Sequence, residues 1–478
     1  MAYVAYVTTL KNVRKHSNAD RLQLGDCFGN TVCVNLDYSE NQIGVYFPTD
    51  GQLSVEFAEF NNLLRKKDEA GNNIGGYMDP DKRNVTSIRL RGEKSDGLFL
   101  PLSCLDYCFD DGAAAHLHVG DTIDVVNGHE ICCKYIPHFN KSANRTINGN
   151  RTRKHKEPVA PLFAEHADTE QLAYNLDAFK PGDEIEITLK MHGTSQRTGY
   201  LPVLKGYKRT LWDRILRRDG KPIYDWGYVS GTRRVVLENY DGGYYGDNAF
   251  REQHSKVFEG KLNKGESVYY EVVGFTTFGA PIMGNGDNKK LNDKEFIKQY
   301  GETTVFSYGC SATEEWDITK DEDEHGELPT LPQSDIYVYR MTMTNEDGFV
   351  VEYTPDFMRY RCEQMGVKTV PVFAKATIDC EGVHVYSPDE ELYGFVHETE
   401  NIGETVREIA EKYYDGPDPV GKTHVREGVV VRILNRSKFC AYKHKNFSFK
   451  CLEGIVKANA DAPDMEEAQE VENEENPV

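Results

Sequence analysis

Short alternating segments separated by turn residues fill the first 135 positions of the chain: VAYVTTL, NTVCVNL, GVYFPT, TSIRLRG, GLFLPL and TIDVV. A series this dense, with no long amphipathic helix inside it, predicts a small β-barrel over residues 1–135. A polar stretch rich in Asn, Arg and Lys follows at 136–160 and reads as a basic linker. From 161 to 455 strands alternate with amphipathic helices, of which ETVREIAEKYYD is the clearest. The chain is therefore expected to be α+β: a barrel, then a larger domain of strands and helices, then an acidic disordered tail at 456–478.

Length and composition narrow the function classes. A chain of 478 residues exceeds one ordinary core. Its 39% hydrophobic and 28% charged residues describe a globular protein. No segment approaches the roughly 20 apolar residues that span a bilayer. The amino terminus, MAYVAYVTTLKNVRK, lacks a basic region followed by a long apolar run, so a cytoplasmic protein is expected, in the host cytoplasm if the source is viral. The eleven cysteines include no CxxC pair, and even Cys132/Cys133 beside His129 read best as reduced thiols.

A net charge of −21 argues at first against a nucleic-acid partner. The charge is unevenly spread. Acid is concentrated in the tail and in EEWDITKDEDEHGE at 314–327. Basic residues gather at Lys141, Arg145, Arg151, Arg153, Lys154 and Lys156, and again at Lys205, Lys208, Arg209, Arg214, Arg217, Arg218 and Lys221. A phosphate backbone needs a local basic surface, not a basic protein, and either run serves equally as an ordinary solvated face.

The chemistry-bearing residues start at DEIEITLKMHGTS. Ile185, Ile187 and Leu189 alternate with Glu184, Glu186, Thr188 and Lys190, so a half-buried strand points Lys190 to its polar face just before a His192-Gly193 turn. Four further strand-like segments carry charges in apolar surroundings. SVYYEVVGF holds Glu271, and DIYVYRMTM places Tyr337 and Tyr339 on one face. VREGVVVRI, residues 425–433, places Glu427 near its start, and KFCAYKHKN puts Lys443 and Lys445 on one face. Unpaired burial of such groups is costly, so their recurrence suggests a shared anionic ligand with a metal.

In this order the segments resemble the collinear motifs of covalent nucleotidyltransferases, the polynucleotide ligases and mRNA capping enzymes. KxHGxS is met by Lys190, His192, Gly193 and Ser195, and His-Gly in this place looks like the RNA ligases. SGTRR is similar to the second motif, with Arg233 the better match and Arg234 the fallback. Glu271, Tyr339, Glu427 and the Lys443/Lys445 pair fit the motifs that follow. Leu189, where many RNA ligases have Glu, and Asn446, where Ser often follows the lysine pair, depart from the pattern.

Near the amino terminus, His16, Asn18, Ala19, Asp20 and Leu22 match a signature of tRNA-binding OB domains. An OB-like module ahead of the adenylyltransferase domain resembles the Deinococcus and Naegleria type of RNA ligase. The resemblance implies a monomer whose second domain is built of antiparallel sheets flanked by helices, with ATP and Mg2+ or Mn2+ as cofactors. Its partner would be RNA, or an RNA-containing duplex, with a break. Lys190 would be the nucleophile that takes AMP. His192, Gly193, Arg233, Glu271, Tyr339, Lys443 and Lys445 would bind the nucleotide, and Glu427 with Glu271 the metal. A DNA ligase, a capping guanylyltransferase and a non-catalytic RNA-binding protein are the alternatives.

Overall fold

The computed structural model describes residues 3–66, 75–135, 157–167, 169–211, 220–240, 245, 248–312, 333–386, 395–398 and 401–458. Most of the basic linker, the acidic segment 314–327, Arg214, Arg217, Arg218 and the acidic tail beyond 458 lie outside the described residues.

The chain forms two compact units, Met1–Asn140 with Gly286–Thr304 and Phe447–Asp464, and Lys141–Asn285 with Val305–Asn446 and Met465–Val478. In the first, the expected strands appear at Ala5–Thr9, Asn30–Asn35, Ile43–Phe47, Ser87–Leu90, Leu98–Pro101 and Thr122–Ile123. They pair antiparallel in several small sheets, and none closes into a barrel among the described residues. Their inward side chains, including Val7, Val45, Phe47, Leu53 and Phe57, form one core. His16 is buried: its ring accepts the Asn18 amide at 3.0 Å and lies 3.1 Å from the Leu90 carbonyl, so it ties a turn to a neighbouring strand. Two later segments join this unit through charge pairs. Asp293 meets Arg89 at 2.6 Å, and Lys450, on the helix Phe447–Ala458, pairs with Asp96.

Seven strands of the second unit carry the site: β1 (Glu184–Lys190), β2 (Thr194–Lys208), β3 (Lys221–Gly231), β4 (Glu266–Gly274), β5 (Ser334–Thr344), β6 (Gly428–Ile433) and β7 (Cys440–Lys445). They divide between two seven-stranded sheets. One has β7, β6 and β1 as neighbours, continued by Val372–Ile378 beyond β1; the other runs β3, β2, β4, β5. Ile185 and Ile187 of β1 enter the core with Val429, Val431, Val406 and Ile409, the last two from the helix Ile402–Tyr414. The period-two pattern thus places the apolar face as expected.

Candidate active site

The KxHG turn joins the two sheets. β1 ends at Lys190 in one, and β2 starts at Thr194 in the other. Gly193 is required by the tightness of this crossing. A Cβ there would stand 2.4 Å from the Val272 carbonyl oxygen, a backbone atom inside van der Waals contact, and 2.9 Å from the side-chain Cγ of Glu271.

Pairing then assembles the charges. Lys190 lies opposite Gly428, and Gly428 opposite Lys445, so three neighbouring strands set both lysines beside the start of β6. Glu427, the preceding residue, is 2% exposed. Its Oε1 lies 2.7 Å from Lys190 Nζ and 3.3 Å from Lys445 Nζ. Burial alone would push this carboxyl up, but Lys190, then Lys445, with His192, hold it well below the usual carboxylate range. Oε2 accepts no hydrogen bond among the described residues and faces His192 Nδ1 at 3.7 Å, beyond bonding distance. Asn446 anchors the acid from behind. Its amide donates to the Glu427 carbonyl at 2.8 Å and its side chain donates to Asp415 at 2.6 Å.

The other candidate residues fall around this centre less uniformly. Lys443 lies opposite Val430, two positions along the same strand face as Lys445. Glu271 pairs with Ser195 and Tyr337 in the second sheet. Tyr339 sits 3.0 Å, hydroxyl to hydroxyl, from Ser195. It does not share a regular face with Tyr337: Tyr269 pairs with Arg340 and Tyr270 with Val338, which leaves Tyr339 as the extra residue of a β-bulge. Period-two counting cannot anticipate such an insertion.

The pair Arg233/Arg234 lies in the turn after β3, and a third arginine fixes that turn. Arg197, 1% exposed, donates to the carbonyls of Thr232, Phe163, Ala164 and Arg234 and stacks 4.1 Å from the Phe163 ring. Its bonds thus flank Arg233. Sequence reasoning missed this residue, because its neighbours Thr194, Ser195, Gln196 and Thr198 are polar and nothing in TSQRTG marks the strand as buried.

It also missed a buried aromatic frame. The His192 amide donates to the Tyr308 hydroxyl at 2.6 Å. The Tyr308 ring packs edge-on against His424 at 4.7 Å, His424 meets Phe306 at 5.1 Å, and Phe306 meets the His192 ring at 4.6 Å. Burial, with the charges of Asp418, Glu427 and Glu271, raises Tyr308 well above the ordinary phenol range, so its hydroxyl stays protonated. Nothing in TVFSYGC marks these residues locally; only the fold brings them to the turn.

The sequence matches no family model and no curated protein. Solved structures do match. A Naegleria gruberi RNA ligase mutant with ATP and Mn is 16% identical over 93% of this chain and 98% of that one, with a TM-score of 0.52. The Naegleria gruberi RNA ligase with PPi is 16% identical over 96% and 98%, with a TM-score of 0.51. The chain has the fold of an RNA ligase. Within that fold its Lys190, Glu427 and Lys445 converge at one oxygen atom.

Proposed function

We propose that the protein is an ATP-dependent RNA ligase in which Lys190 is the nucleophile. The observation that carries this reading is the placement of Lys190 and Lys445 on one oxygen of a buried Glu427, at a turn linking two sheets, in a fold shared with RNA ligases. The Lys190 amine attacks the α-phosphorus of ATP, pyrophosphate leaves, and AMP remains on the nitrogen. AMP then passes to a 5′-phosphate, and a 3′-hydroxyl attacks that activated end, closing the phosphodiester and releasing AMP. Because phosphoryl transfer depends mainly on positioning and charge neutralisation, Lys443 and Lys445 hold phosphate oxygens and Arg233 holds phosphate or the RNA end. Tyr339 stacks on adenine, while His192, Gly193 and Glu271 shape the pocket beside the nucleophile.

The fit to a divalent ion can be judged from the acids. No group of three His, Cys, Asp or Glu able to cage a metal occurs among the described residues. Glu427 nevertheless presents a buried oxygen that accepts no hydrogen bond among the described residues. Mg2+ or Mn2+ would be held there by Glu427, with Glu271 assisting, water and phosphate completing its shell. Such an ion supplies neutralisation of phosphate charge. The amino-terminal unit is assigned as an OB-like module that grips a broken RNA or RNA-containing duplex, the repair substrate.

The test is incubation with α-labelled ATP and a divalent metal, followed by denaturation. Label should stay on the wild-type chain, pyrophosphate should appear, and Lys190→Ala should abolish both. Labelling of the alanine variant would remove Lys190 from the role; labelling by GTP in preference to ATP would point to a capping enzyme.

A further inference from the structure

Four residues of the second basic run, Lys205, Lys208, Arg209 and Lys221, are not used by the site described above, yet the fold gives them a definite place. β2 and β3 continue as a long antiparallel hairpin well past the last β4 pairing at Gly199–Ser267. Its two faces differ. Leu201 and Val229 point to a small core with Ala160 and Phe163. The opposite face carries Tyr200 across from Tyr228, Trp226 across from Pro202, and Tyr224 across from Leu204; Tyr207 follows beyond a bulge. The Tyr200 and Tyr228 rings stack at 4.7 Å and 21°, Trp226 lies 5.8 Å from Tyr200, and Lys264 Nζ stands 5.2 Å from the Trp226 ring. All five aromatic residues are only partly buried. Lys205, Lys208, Arg209 and Lys221 are exposed at the turn end of the same hairpin.

We infer that this hairpin is a binding surface for an unpaired polynucleotide strand. The inference rests on the polynucleotide reading of the protein and adds where a strand lies and in what form. Half-open aromatic rings in a row offer π-faces at which successive bases stack, whatever their identity. A duplex hides its base faces within its own stack and cannot use such a row. The exposed lysines and arginine, in a chain of net charge −21, give the hairpin end the sign that a phosphate backbone requires.

The test uses the full-length protein and a fluorescein-labelled oligoadenylate RNA of about 12 nucleotides, read by anisotropy. Trp226→Ala and Tyr200→Ala should each weaken binding at least about fivefold, the lower bound for loss of one stacked base. Trp226→Phe, which keeps a ring, should restore binding to within about twofold. Self-labelling with ATP should be unchanged in all three, because neither Tyr200 nor Trp226 belongs to the Lys190 site. A Trp226→Ala variant that labels itself and binds the RNA as tightly as wild type overturns the inference. So does an equal loss of affinity for the same RNA annealed to its complement. Should the aromatic variants fail to fold, Lys208→Gln with Lys221→Gln replaces them. Single-strand binding should then lose about 1.4 from its log–log salt slope, and an unchanged slope overturns the inference. If wild type binds RNA through Trp226 but never takes up AMP, the strand surface stands and the ligase reading fails.

Discussion

Glu427→Gln preserves side-chain shape and removes the charge at the centre of the site. At separations of 2.7 and 3.3 Å from the two lysine nitrogens, gross attractions are roughly 6 and 5 kcal/mol at an effective dielectric of about 20. Most of that offsets the cost of taking three charges out of water. The variant leaves two lysine heads facing a neutral amide. Removing one partner of a buried ion pair costs about 3–5 kcal/mol. The Lys190 side chain is 23% exposed and can turn partly to water, so we expect about 3 kcal/mol at neutral pH. The sign of the pH dependence follows from the lowered folded-state pKa. The contribution of Glu427 is complete above its unfolded pKa of about 4.3 and disappears as pH falls through the folded value. The gap between wild type and variant should therefore be flat above about pH 5.5 and shrink below about 4.3. Trp226 belongs to the unit that carries the site, so urea unfolding followed by tryptophan fluorescence reads the relevant transition. A gap under about 1 kcal/mol at neutral pH, or one that does not close in acid, would refute the reasoning.

Two further changes test the supporting residues. Tyr308→Phe removes the acceptor of the part-buried His192 amide, which should cost about 1–3 kcal/mol in unfolding measurements and slow self-labelling while leaving the ATP concentration dependence intact; labelling at the wild-type rate would remove Tyr308 from the frame. Arg197→Lys keeps the charge but cannot reach four carbonyls with one ammonium, so a loss of at least about 2 kcal/mol is expected, and a thermal midpoint equal to wild type would show the clamp to be dispensable.

Lys190 and its turn were legible because they depend on local rules. Alternation fixed the face of β1, and the glycine marked the crossing that follows. The lysine pair of β7 was readable for the same reason, since two residues separated by one share a strand face. The acidic partner was recognisable as an expensive charge beside an apolar strand. What alternation could not supply is the identity of the polar face. It is not a solvent face throughout, since of its four residues only Glu184 is exposed. Glu186, 2% exposed, is bound there by Arg359 at 2.7 Å, and Arg432 sits beside it in register. Buried charge of this kind appears in sequence only as a polar residue at an alternate position, indistinguishable from one in water.

Long-range return of the chain hid the rest. The segment Gly286–Thr304 and the helix from Phe447 lie within or just after what reads as one continuous second domain, yet both belong to the first unit. The contacts that draw them there, Asp293 with Arg89 and Lys450 with Asp96, join residues more than two hundred positions apart. Neither acid nor base is unusual in its own surroundings. A composition shift marks a linker when the chain leaves a domain once, and it is silent when the chain leaves and re-enters through ordinary secondary structure. Tyr308 shows the consequence for the site. It follows the excursion Gly286–Thr304 directly, in the first residues after the chain re-enters the second unit. Its hydroxyl reaches the His192 amide only because that re-entry is aimed at the turn. A residue placed by where the chain comes back, not by its own neighbours, is visible in the fold alone.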